Sequence, residues 1–108
     1  MAIDNLFEIL QLPTSDERFD VLAESEHVRI ERIVSTGQST PAGTWYDQGR
    51  DEWVALIQGE AILAYDDGRE VRMKAGDHIL ISAHERHRVE STSANPPCIW
   101  IAVHLGRE

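Results

Sequence analysis

Beyond its first two dozen residues, the chain is a series of short runs in which apolar and polar positions alternate, each closed by a turn. In "HVRIERIVST" (27–36), Val28 and Ile30 share a face with Arg32, while Arg29, Glu31 and Ile33 share the other. In "EWVALIQ" (52–58), alternation sets Glu52, Val54 and Leu56 against Trp53, Ala55 and Ile57. Further strand-like runs are "RFDVLAES" (18–25), "AILAY" (61–65), "EVRMK" (70–74), "HILIS" (78–82), "RVEST" (88–92) and "CIWIAVH" (98–104). "DDGR" (66–69) is a hairpin signal, because Asp67-Gly68 suits a tight turn with positive φ. "GQSTPAGT" and "SANPP" read as loops.

The N-terminal segment follows another rhythm. "DNLFEIL" (4–10) predicts one or two helical turns, with Asp4 or Asn5 as cap and Leu6, Phe7, Ile9 and Leu10 as an apolar face. Pro13 ends it, and "TSDER" reads as loop. Short strands at regular spacing with little helix predict an all-β class, a small antiparallel sandwich or barrel. The reading divides one domain into a leader over 1–27 and a β-barrel over 28–108.

At 108 residues the chain can bury one core but not two. With 42% hydrophobic and 27% charged residues it has an ordinary globular composition. A formal net charge of -9 argues against nucleic acid and anionic membrane surfaces as partners. The single Cys98 cannot form an internal disulfide, and the acid-bearing N-terminus does not read as a signal peptide. A cytoplasmic location is the expectation.

Three segments together carry a family resemblance: "EWVALIQGEA" (52–61), "AGDHILISAHERHRV" (75–89) and the closing "CIWIAVH". The chain resembles a small single-domain cupin over roughly residues 28–104. The first cupin motif has two His, a Glu and a Gly, the last two separated by six residues; Glu52 and Gly59 keep that spacing. The second has Gly-Asp, a short strand, a turn and a His, matched by Gly76-Asp77 and His87. The two first-motif His are absent. By position they become Trp45 and Asp47, or Tyr46 and Gln48 if the loop is one residue shorter. The second-motif turn reads Ser82-Ala83-His84 in place of Pro and Gly.

The resemblance implies a conical jelly-roll barrel with the motif residues facing its mouth. It also implies a divalent ion (Mn, Fe, Ni or Zn) held by Asp47, Glu52 and His87, since such an ion needs about three N or O ligands. Asp47 has the alternative of a solvated loop acid, Glu52 that of an exposed strand end, and His87 that of a surface residue in "HERHR". Tyr46 and His104 are the candidates for catalytic proton transfer; an aromatic at the lip and a structural half-buried His are their alternatives.

His84 reads as a turn residue at the rim, His78 as structural or exposed, and Cys98 as a small buried hydrophobe. Arg86 and Arg88 alternate away from His87. An outward Trp53 and Ile57 would mark a covered surface, and the resemblance implies a homodimer. Two function classes stand: a metal-dependent enzyme acting on a small molecule, and a non-catalytic cupin that binds or senses a small molecule without metal.

Overall fold

The computed structural model describes residues 3–9, 11–12 and 15–106. Eight strands follow in order: β1 (Arg18–Glu24), β2 (Val28–Ser35), β3 (Asp51–Gln58), β4 (Glu60–Tyr65), β5 (Glu70–Lys74), β6 (His78–Ile81), β7 (His87–Thr92) and β8 (Cys98–Leu105). They form a five-stranded sheet in the order β1-β2-β8-β3-β6 and a three-stranded sheet in the order β5-β4-β7. All pairings are antiparallel. The alternation read along the sequence is the alternation of faces: Glu52, Val54 and Leu56 of β3 are buried, and the residues between them are less so.

The inner faces of the two sheets meet in one core. Val54 and Leu56 of β3, Leu63 of β4, Met73 of β5, Ile81 of β6 and Trp100 of β8 supply most of its bulk. Each such side chain contributes about 1.5–3 kcal/mol when taken out of water. Two turns keep the strands in register. At the DDGR hairpin the Tyr65 carbonyl accepts from Gly68 N–H, and Gly68 has φ +94°. Between β3 and β4 the chain reverses on Gly59, at φ +92°.

The helical turns expected over 4–10 do not form; among the described residues there is no helix. The Asn5 carboxamide oxygen accepts from Phe7 N–H at 2.8 Å, and Glu8 N–H bonds the Asn5 carbonyl at 3.1 Å. This local pairing is the alternative that Asn offers to a helix. Arg32 then takes the Leu6 and Glu8 carbonyls at 3.1 and 2.9 Å, groups that a continuing helix would have used internally. Leu6 and Phe7 are left exposed, without the packed face that stabilises a short helix. Leu10 and Pro13, which completed that expectation, lie outside the described residues.

Candidate functional site

Between the sheets lies a cavity of about 290 Å³. Its floor is apolar, from Ile33, Val54, Leu63, Ile81, Val89 and Trp100. Strand register sets one polar row across the five-stranded sheet: Arg29 on β2 pairs with His104 on β8, and His104 pairs with Glu52 on β3. Glu31, two residues along β2, lies diagonal to His104 on the same face, and its carboxylate accepts from His104 Nε2–H at 2.8 Å. Glu52 Oε2 stands 3.8 Å from the same nitrogen. His104 is thus buried between two carboxylates, one bonded and one facing the cavity.

His87 comes from the other sheet, at the start of β7. Its Nδ1–H donates to the Glu85 carbonyl at 2.9 Å, an acceptor-only group that fixes the tautomer. Nε2 is left as a lone-pair acceptor, and the ring lines the cavity. Tyr46 pairs with His87 through two backbone bonds, at 2.7 and 3.1 Å, which form an isolated bridge. Residues directly opposite in an antiparallel pair share a face, so Tyr46 and then Gln48 turn inward with His87. Both line the cavity, and Gln48 donates to Glu52 Oε1 at 3.3 Å.

The same parity sends Trp45 and Asp47 the other way. Asp47 Oδ1 lies 2.8 Å from His84 Nδ1 on the rim, with both side chains exposed, and it does not line the cavity. Of the expected metal set, Glu52 and His87 therefore line the same cavity and Asp47 does not join them. The pair that lines the cavity is Tyr46 and Gln48, the one that the resemblance sets against the missing histidines if the loop is one residue shorter. Tyr46 is half-exposed at the lip, and its ring centroid is 5.7 Å from that of His87. Trp45 lies instead beside Arg86 and Arg88, whose guanidinium carbons are 6.0 and 5.9 Å from its ring.

A family model for the cupin domain matches residues 31–104. The chain belongs to the cupin family. A protein from Ralstonia eutropha JMP134, provisionally named a mannose-6-phosphate isomerase, is 38% identical; the match covers 99% of this chain and 100% of that one, with a TM-score of 0.92. A protein from Thermus thermophilus covers all of both chains at 19% identity and a TM-score of 0.80. A cupin superfamily protein from Desulfitobacterium hafniense DCB-2, 18% identical over 91% of this chain and 84% of that one, has a TM-score of 0.75. The last two show the fold alone. Among curated proteins none matches the chain.

In this cupin the charged wall reaches beyond the two motifs. Glu17, Arg29 and Glu31 line the cavity, and none was singled out from the sequence as a site residue. Burial pushes the Glu17 carboxyl up, opposed by a hydrogen bond from Ser35. That Ser35 hydroxyl also accepts from the Trp100 indole at 3.3 Å. The signal for Arg29 and Glu31 was present in β2, where they share parity with Ile33, but a charged face normally reads as the wet one. Here the cupin turns it inward and leaves Val28 and Ile30 on the other side of the sheet.

Among the described residues no His, Cys, Asp or Glu side chains come together three at a time in a way that would hold a metal ion. The Asp47–Glu52–His87 set does not fit a divalent ion, because its third member is bonded to His84 on the rim. Nor is the His104 group a ligand cluster, since its Nε2 proton points at Glu31. Among the described residues no helix is long and apolar enough to cross a membrane.

Proposed function

We propose that this cupin binds a small organic molecule in the cavity between its sheets, with Glu52 and His87 as the contacting polar groups. One observation carries the reading: Tyr46, Gln48, Glu52 and His87 all line a 290 Å³ cavity that also has an apolar floor. That combination of an apolar body and a few convergent polar groups is the usual make-up of a ligand site. The wall is equipped for proton transfer as well. Tyr46 offers a phenol at the lip, and His104 Nε2 stands 3.8 Å from Glu52 Oε2.

The relative from Ralstonia eutropha would suggest a sugar phosphate as ligand. The cavity argues otherwise, since among the described residues three carboxyls, those of Glu17, Glu31 and Glu52, line it beside a single arginine, Arg29. A cytoplasmic location is part of the proposal, supported by a lone cysteine, Cys98, that is free and buried.

A melting-temperature screen of small polar compounds tests the reading. Stabilising compounds are expected, and their effect should disappear in both His87→Gln and Glu52→Gln. A screen without hits, or hits that ignore both substitutions, would sink it.

A second reading, a bound Mn, Fe, Ni or Zn ion, is favoured by Glu52 and His87 lining the same cavity. Two such donors fall short of the three that a protein site normally supplies. Metal analysis of protein purified without an affinity tag separates the readings. The ion reading expects near-stoichiometric metal, lost in His87→Ala and Glu52→Ala and kept in Asp47→Ala.

A further inference from the structure

Among the described residues, acids outnumber fixed cations in the lining of the cavity, and two of its acceptors are open to an occupant. His87 is only 5% exposed, yet its Nε2 lone pair has no hydrogen-bond partner among the described residues. Glu52 receives one bond, from Gln48, and its other oxygen sits 3.8 Å from His104. Glu17 and Glu31 add two more carboxyls to the same lining. Against these three acids, Arg29 is the one permanently charged cation of the lining among the described residues. Arg29 Nε is buried without a hydrogen-bond partner, but Glu31 Oε2 stands 3.8 Å from it, so the excess of acids disfavours an anionic occupant, while Glu52 and His87 Nε2 favour one that brings N–H or O–H groups.

The aromatic lining narrows the class. Phe19, Tyr46 and Trp100 border the same space as the acids. Ring faces attract a cation, and they do so more strongly where water is excluded. Carboxylates and aromatic faces around one cavity suit an ammonium head on an apolar body. We propose that the ligand of this cupin is a small organic amine, bound as its cation with the ammonium between Glu52 and His87 Nε2. The inference rests on the cavity-binding reading above and adds the charge of the ligand to it.

Four probes with one apolar body isolate the head group: n-hexylamine, 1-hexanol, hexanoate and hexyl phosphate. Each is titrated near pH 7.5 into EDTA-treated, ¹⁵N-labelled full-length protein, following the indole N–H of Trp100, whose side chain lines the cavity and whose N–H bonds Ser35 Oγ. Hexylamine is expected to shift that signal saturably and to bind at least tenfold tighter than hexanol, with the two anions weaker still. Glu52→Gln and Glu17→Gln, both near-isosteric, should each lower the amine-to-alcohol ratio, at least tenfold for Glu52→Gln; the dispersion of the spectra reports that they fold. Hexanoate or hexyl phosphate binding as well as the amine would overturn the charge selection and leave the cavity reading standing. A Trp100 signal that no probe moves removes both.

Discussion

Gly59 closes the first cupin motif, and replacing it by alanine should cost more than its backbone conformation alone explains. At φ +92° an L-residue is strained, by about 1–2 kcal/mol. A Cβ built there would also lie 2.7 Å from Ser93 Oγ, 2.9 Å from Cys98 Cα and 2.9 Å from Cys98 Sγ. Neither neighbour can give way easily. Ser93 Oγ is pinned by an N–H from Glu60 and by its own bond to the Pro96 carbonyl. Cys98 Cα is backbone at the start of β8, a strand paired on both sides.

Overpacking of this kind typically adds about 1–3 kcal/mol, for a total of about 2–5 kcal/mol in Gly59→Ala. Gly68 is the internal control. It has nearly the same φ, +94°, but nothing lies within 4 Å of the position its methyl would take, so Gly68→Ala should show the strain alone, about 1–2 kcal/mol. The gain from a stiffer unfolded chain is common to both and cancels in the comparison. At about 4 °C per kcal/mol, thermal denaturation should place Gly59→Ala roughly 8–20 °C below the native chain and Gly68→Ala roughly 4–8 °C below it. If the two variants melt together, the close approach of β8 to the Gly59 turn is not what selects glycine there.

Four further outcomes follow from particular contacts. Burial raises the Glu17 carboxyl above its ordinary value of 4.5, so its share of stability is present below that pH and is lost as pH rises through the folded value; in Glu17→Gln, denaturation curves across this range should lose that part of the decline. Asp20 has the opposite sign: burial pushes it up, but hydrogen bonds from Arg32 and Arg18 outweigh burial and hold it below 3.8, so Asp20→Asn should remove a contribution that the native chain loses only as pH falls through the depressed value. Thr40 is buried, and its hydroxyl accepts from Val89 N–H at 3.0 Å; Thr40→Val leaves that donor unpaired and should cost about 1–3 kcal/mol in chemical denaturation. On the outer face of the five-stranded sheet, register sets Trp53 between Leu80 and Val103, with Leu80 exposed. If the homodimer that the cupin resemblance implies forms through this face, the protein should sediment as two chains and dissociate in Leu80→Arg; a native chain that sediments as one would refute it.

The strands and their facing were legible because each depends on a period of two, which the apolar residues of β3, β4 and β8 display directly. The N-terminal helix was misread for a local reason. Leu6, Phe7 and Ile9 have helical spacing, but spacing cannot reveal whether another surface exists for that face to pack on, and here Arg32 holds the carbonyls instead. Glu17 and Glu31 were missed for a tertiary reason. Nothing local distinguishes an acid that faces a cavity from one that faces solvent; that is decided when β2 pairs with β8 and brings Glu31 to His104.

Asp47 shows how narrow the margin is. Read from Glu52 backwards, the loop permits two registers, and they differ by a single residue. A shift of one residue exchanges the faces, so it exchanges Trp45 and Asp47 for Tyr46 and Gln48 at the cavity wall. The choice is made by the backbone pair between Tyr46 and His87, a contact between residues far apart in sequence. Its chemical consequence is large. An inward Asp47 would have given Glu52 and His87 a second carboxylate and the beginnings of a metal site. Gln48 instead donates a neutral N–H to Glu52, leaving the carboxylate charge and the His87 lone pair directed at the cavity. One residue of register thus separates a site with the beginnings of a metal centre from the one to which we assign an organic cation.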